Sequence, residues 1–336
     1  MEQRKGSTGP WASVPEKQDR LVRNVMRGYN DRELSGKGDG AMRTAVMADI
    51  HSNFPAFQAC LRAAEEHHCT AFIFLGDYLG DMAFPQRTLG LLWEIRRRYP
   101  CIFIRGNKEN YWIHHRQHPE EAWEYGNSAT GMLRYNSDRL MDEDLDFFEQ
   151  LPISRVLRTE GYPDIALCHG SPFAVRESLR PDYGYIDDLM ERMPAGLVLC
   201  GHFHIQTDYT RKGIRVINPG AVGVPLGSGG KAQFMIMEGK DGAWNTEFLS
   251  VPYDIQETIR QMDEERLYEK APGWYRVTRH VLLTGRVSHA QALRYVMQRC
   301  GAAEPASIPE SAWQEAIDAM EEEMHLPKAE QRGEER

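Results

Sequence analysis

Three short apolar runs alternate with two amphipathic stretches between Arg43 and Glu109, and this alternation limits the fold more than any other feature of the chain. The runs are Thr44-Ala45-Val46-Met47-Ala48, Ala71-Phe72-Ile73-Phe74-Leu75 and Cys101-Ile102-Phe103-Ile104. They are too short for helices and read as strands buried on both faces. Between them, residues 56–67 place Phe57, Cys60, Leu61 and Ala64 at helical spacing, and residues 85–98 do the same with Leu89, Leu92, Trp93 and Ile95. A β-α-β-α-β order predicts a mostly parallel sheet covered by helices. Such sheets build their sites at the carboxyl ends of the strands. There the chain carries Asp49 and His51, then Asp77, then Asn107.

The rest of the chain continues the pattern and then changes it. Residues 110–150 are polar and mostly helical, with His114, His115 and His118 read as solvated helix residues. Strands are expected at 153–157 and at 164–168, the latter ending in His169, and a helix at 181–192. Leu197–Cys200 is a further strand that delivers Gly201-His202-Phe203-His204. Alternation along an extended segment puts His202 and His204 on one side. A strand at 215–217 runs into Asn218-Pro219-Gly220, and residues 233–237 and 244–249 form an antiparallel closing pair. The whole predicts an α/β chain with two stacked sheets and outer helices. Beyond Val251, the pairs Asp254/Glu257, Ser288/Gln291 and Ser307/Glu310 look like three capping boxes at helix starts. The expected division is a flexible segment 1–42 with a short helix near 17–29, an α/β domain 43–252, a helical extension 253–326, and a disordered tail 327–336. The run Ser35–Gly40 lacks the spacing of a phosphate loop.

Composition narrows the function. A net charge of -9 gives no general attraction to nucleic acid or anionic membrane, but local cations could still hold a small anionic substrate. No apolar run approaches the ~18 residues of a membrane span, and the N-terminus lacks an apolar signal core. Six cysteines without a CxxC pair or a dense framework predict free thiols and a cytoplasmic location.

In order, the strand-end residues are Asp49, His51, Asp77, Asn107, His169, His202 and His204. Any one Asp or Asn there is more often a cap or turn residue. Seven mixed oxygen and nitrogen donors together suit two divalent transition metals, with Asp77 as the bridging carboxylate. Mn²⁺ is the first expectation, with Fe, Zn²⁺ or Ni²⁺ as alternatives.

The blocks D-x-H, G-D, G-N-x-E, H-G and G-H-x-H, in this order over about residues 43–250, resemble the calcineurin-like metallophosphoesterases, and Asn218-Pro219-Gly220 matches a further block of bacterial members. The resemblance implies a four-layer α/β/β/α sandwich. It implies that Asp49, His51, Asp77 and His204 hold one ion, and that Asp77, Asn107, His169 and His202 hold the other. It implies hydrolysis of a small phosphoester, a diester or a broader range, by a metal-bridging hydroxide. Ser52 and Ser171 are then not needed as nucleophiles. Where many members have His after G-N, this chain has Lys108, expected to clamp the phosphate; its ordinary pKa of about 10.4 makes it a poor proton donor at neutral pH. Arg105 is a second candidate for the phosphate, or a structural ion-pair partner. Glu109 is expected to orient a metal-bound imidazole. Relatives that act as protein Ser/Thr phosphatases or dinucleoside polyphosphate hydrolases carry GDxVDRG and GNHE. Here both blocks are altered, to Gly76-Asp77-Tyr78-Leu79-Gly80-Asp81 and Gly106-Asn107-Lys108-Glu109. A third reading is a non-catalytic scaffold that keeps the fold, with the helical extension as a docking or oligomerisation element.

Overall fold

The computed structural model describes residues 43–327. The expectations for 1–42 and for nearly all of 327–336 lie outside the described residues.

Two five-stranded sheets form the centre of the molecule. The first is ordered β10 (Ala243–Val251), β9 (Ala232–Lys240), β1 (Arg43–Met47), β2 (Ala71–Phe74), β3 (Cys101–Phe103). β1, β2 and β3 are parallel, with Val46 opposite Ile73 and Ile73 opposite Ile102, while β9 runs antiparallel to β1. The second sheet is ordered β4 (Ser154–Leu157), β5 (Ile165–Cys168), β6 (Leu197–Leu199), β8 (Ile214–Pro219), β7 (Gln206–Arg211). Here β5, β6 and β8 are parallel and the outer strands antiparallel.

The apolar runs explain the layering, because each parallel strand has two buried faces. Val46, Ala48, Ile73 and Leu75 turn inward to meet Ile165, Leu167, Leu197 and Leu199 between the sheets. Ala45, Met47, Phe72 and Phe74 turn outward against α1 (Phe54–Glu66) and α2 (Pro85–Arg98), with α3 (Asn107–Gln117) and α5 (Asp142–Gln150) completing that layer. On the far side Cys168, Val198 and Cys200 pack against α6 (Ile186–Met190). The result is an α/β/β/α sandwich. All six cysteines are free. Among the described residues no helix is long and apolar enough to cross a membrane.

Three expectations change. The helix expected at 181–192 is only five residues long. Gly184 interrupts it, and the Arg180–Asp182 ion pair and the Tyr185 hydroxyl on the Ser178 carbonyl keep the preceding stretch in turns. β7 escaped the sequence reading because Gln-Thr-Asp-Tyr-Thr-Arg is a polar edge strand with no apolar run. Of the three capping boxes, Ser288/Gln291 is complete and Asp254 accepts from the Glu257 N–H. Ser307/Glu310 is not one. Ser307 sits in a 3-10 turn, and the Glu310 carboxylate reaches away to the backbone N–H and hydroxyl of Ser128.

Residues after Val251 form α7 (Ile255–Glu264), α8 (Leu267–Lys270), α9 (Pro272–Thr284), α10 (His289–Cys300) and α11 (Glu310–Glu323). They do not pack only on one another. Val277, Val281, Trp313 and Ile317 share one core with Met82, Ala83, Ala221 and Val224 of the sandwich loops, and with Met132 and Tyr135 of α4 (Gly131–Ser137).

Candidate metal centre

The carboxyl ends of β1, β2 and β3 in one sheet face those of β5 and β6 in the other, and this brings the seven residues together. Asp49 Oδ1 lies 3.3 Å from His204 Nε2 and 3.9 Å from both His51 Nε2 and His169 Nε2. Asp77 spans the cluster, with Oδ2 3.5 Å from His51 Nε2 and Oδ1 3.5 Å from His169 Nε2. Asn107 Oδ1 is 3.1 Å from His169 Nε2. The rings pair as His51 with His204 and His169 with His202, at centroid distances of 5.3 and 5.2 Å. Asp49 with His51 and His204, and Asp49 with Asp77 and His169, each gather enough donor atoms to hold an ion.

The backbone is bent to achieve this. Asp49, His51, Asp77, His202 and His204 all have φ between 51° and 74°. Such left-handed conformations cost non-glycine residues about 1–3 kcal/mol each and concentrate at functional sites. The extended alternation expected for His202 and His204 is therefore not what presents them. β6 has already ended, and the turn buries Phe203 in the outer layer while the two imidazoles face the cluster. Asn218 fixes that turn: its amide donates to the Gly201 carbonyl at 2.6 Å and its carbonyl accepts from the Gly220 N–H.

The donor set suits cations. His169 Nδ1 lies 2.7 Å from the Leu75 carbonyl, which can only accept, so Nδ1 carries the proton and the neutral ring offers Nε2 as a lone pair. His51 Nδ1 lies 2.6 Å from the Asp81 carboxylate, and its buried Nε2 has no hydrogen-bond partner. Backbone N–H groups reach the two carboxylates, His202 donating to Asp49 and Lys108 to Asp77, and the remaining converging lone pairs of imidazole, carboxylate and amide are the arrangement a divalent ion satisfies. In the metal-free chain protons fill that role. Burial pulls His51 toward neutrality, but Asp81 outweighs it and lifts the group to about 9. His169 is lifted to about 10 against burial, chiefly by Asp77. Asp77 is itself lowered to about 2, the facing His169 overcoming the effect of burial. His202 is pushed down to about 3 by burial and by the neighbouring His169 charge.

Several roles differ from the sequence reading. Glu109 orients no imidazole. As the third residue of α3 it accepts from the backbone N–H groups of Asp77, Tyr78 and Gly106 at 2.8–3.0 Å, which clamps the loops after β2 and β3 together. The clamp is close enough that a Cβ on Gly106 would lie 2.2 Å from Asp77 Oδ1. The residue that orients an imidazole is Asp81, which sequence reasoning missed. Its Oδ2 holds His51, and its Oδ1 accepts from Lys108 Nζ at 2.9 Å and from Trp274 Nε1 at 2.8 Å. The one signal was a carboxylate four residues after Asp77. Lys108 is therefore paired beneath the cluster, with 13% of its side chain exposed. Arg105 is half-buried, is felt by Glu109 and Glu149, and makes no hydrogen bond to any of the seven residues. Ser52 Oγ accepts from the Gly80 N–H, and Ser171 Oγ organises the turn to Phe173 and Ala174. His114 and His118 pair with Glu121 and Glu120, and His115 stacks on Trp123.

Known proteins share the family domain and the fold. Residues 42–242 match the calcineurin-like phosphoesterase superfamily domain. An uncharacterized protein of Methanocaldococcus jannaschii is 27% identical over 242 residues, which are 67% of this chain and 93% of that protein. The crystal structure of a hypothetical protein from Pyrococcus horikoshii OT3 has a TM-score of 0.61 at 22% identity, covering 74% of this chain and 100% of that one. A metallophosphoesterase from Sphaerobacter thermophilus has a TM-score of 0.54 at 23% identity, covering 69% and 99%. The family match spans more than half of the sequence and ends immediately before β10, and on that ground the chain belongs to the calcineurin-like phosphoesterase superfamily.

Proposed function

We propose that this protein is a metal-dependent phosphoester hydrolase that acts on small phosphodiesters or on a broader set of phosphoesters. The observation that carries the reading is the convergence of carboxylate, amide and imidazole lone pairs from Asp49, His51, Asp77, Asn107, His169 and His204, with the buried His51 Nε2 unpartnered. Asp49, His51, Asp77 and His204 would hold one divalent ion, and Asp77, Asn107, His169 and His202 a second. Mn²⁺ fits this donor set, as do Fe, Zn²⁺ and Ni²⁺. Bound ions of this kind lower the pKa of coordinated water and neutralise phosphoryl oxygens.

The chain's own residues place and hold that chemistry. The Asp77 carboxylate turns one oxygen toward His51 and the other toward His169, so it would serve both ions. Leu75 and Asp81 set the His169 and His51 tautomers, so that both Nε2 lone pairs face inward. Asn107 adds an uncharged oxygen, which keeps the cradle attractive to an anionic ester. Lys108 stays charged, since Asp81 raises its pKa against burial. It contributes positive potential at the site and is a poor source of the leaving group's proton.

The test is hydrolysis of a chromogenic phosphodiester and the matching monoester by metal-stripped protein given Mn²⁺. The Asn107→Ala, His202→Ala double variant is the control. Metal-dependent turnover absent from the variant is expected. Stoichiometric metal binding with no turnover on either ester would replace the hydrolase reading with that of a scaffold.

A further inference from the structure

We propose that Trp274, on α9 of the C-terminal helices, is a positioning residue of the metal centre, so that these helices complete the site as well as the core. The inference rests on the metal-binding reading above and extends it to a residue beyond the span of the family match.

The argument starts at the Asp81 carboxylate, which is buried and receives three donors. The Trp274 indole N–H and the Lys108 ammonium share Oδ1, and His51 Nδ1–H takes Oδ2. Trp274 is the donor that a remote part of the chain brings, and it is itself only 7% exposed. It is fixed from two sides. Its ring stacks on His289 of α10 at 4.9 Å and 27°, and Lys108 Nζ lies 5.6 Å from its centroid on the path to Asp81.

The His289 brace has a defined tautomer. Thr278 Oγ1 donates to the Trp274 carbonyl, so toward His289 it can only accept, and His289 Nε2 carries the proton. The Nδ1 lone pair then has no hydrogen-bond partner and lies 3.9 Å from Asp81 Oδ2. A lone pair beside a carboxylate oxygen opposes any swing of Asp81 toward His289. Asp81 is therefore pulled from one side by Trp274 and Lys108 and blocked on another by His289. Among the described residues, the ligand-type residue that Asp81 Oδ2 serves is His51. Outer partners of this sort set ligand orientation and basicity, and losing one typically weakens metal binding about 10–100-fold.

The experiment is calorimetric titration of Mn²⁺ into metal-stripped, full-length protein, comparing wild type, Trp274→Phe and Trp313→Phe. Phenylalanine keeps most of the ring and removes the N–H. Trp313 is a fully buried indole in the same helical core, bonded to the Pro305 carbonyl away from the centre, and controls for packing loss. Trp274→Phe is expected to weaken one of two binding steps by about tenfold and to leave the other within about twofold, with Trp313→Phe matching wild type in both. The selective loss identifies positioning, because a loosened fold would weaken both steps. Wild-type affinities in Trp274→Phe, or equal losses in both tryptophan variants, would overturn the proposal. Wild-type protein that takes up no Mn²⁺, Zn²⁺ or Ni²⁺ would remove the metal reading and this inference with it.

Discussion

At the scale of single residues the centre depends on buried charges that compensate one another. Asp81→Asn removes the charge that pairs a largely buried lysine and leaves one oxygen where two now accept from Lys108, Trp274 and His51. It should cost about 3 kcal/mol in denaturant unfolding and at least tenfold in metal affinity. Unchanged unfolding would mean that Lys108 finds water or another partner. The metal-free chain should also show a definite pH response. His51 and His169 are raised to about 9 and about 10, so the stability they contribute is complete below about pH 6.5 and is lost as pH rises through those values. An incoming cation must displace the same protons, so its affinity should rise with pH. Binding at pH 7 should release about two protons, read by calorimetry in buffers of different ionisation enthalpy. With Lys108 held as a charged partner of Asp81, hydrolysis should also slow steeply as the leaving group becomes more basic. A flat series of aryl phosphodiesters would reveal a proton donor elsewhere. The seven ligand-type residues were legible because residue type and strand-end position coincide. Asp81 was not, since its importance comes from Lys108 and Trp274, 27 and 193 positions away. Glu109 was misread because its place in the G-N-x-E block does not say what its carboxylate meets, whereas its place in the first turn of α3 gives it backbone N–H groups.

At the scale of elements, short local signals were reliable where the chain obeys one rule at a time. α2 begins and ends where its apolar spacing predicts, Pro85 to Arg98. Ser288 caps α10 as read, while Ser307 spends its hydroxyl on the Glu304 carbonyl. Ser288→Ala should therefore cost about 1 kcal/mol and Ser307→Ala only a few tenths, measured by thermal or denaturant unfolding. Equal losses would show that the two positions are used alike. β7 and the shortened α6 were hidden for opposite reasons. One is a strand without an apolar run; the other is an apolar pattern with a glycine inside it.

At the scale of the whole molecule, the α/β/β/α arrangement was readable from the order of elements, but the relation of the C-terminal helices to it was not. Capping residues announce helices without saying what they pack against. Because Trp313 and Ile317 share a core with Met82, Ala221 and Val224, a chain ending at residue 252 should expose that surface. Such a truncation should fail to give a cooperative thermal transition, whereas an autonomous sandwich would retain one. The same topology has a consequence for the order of events during synthesis. The loop after β1 carries the first two ligand-type residues, yet the other neighbour of β1 in the sheet is β9, and the cluster closes with His204 from the turn after β6. A ribosome must therefore deliver nearly the whole sandwich before a cation can find its cradle. Metal should then act late, as a latch: its removal is expected to speed unfolding and to leave the refolding rate almost unchanged.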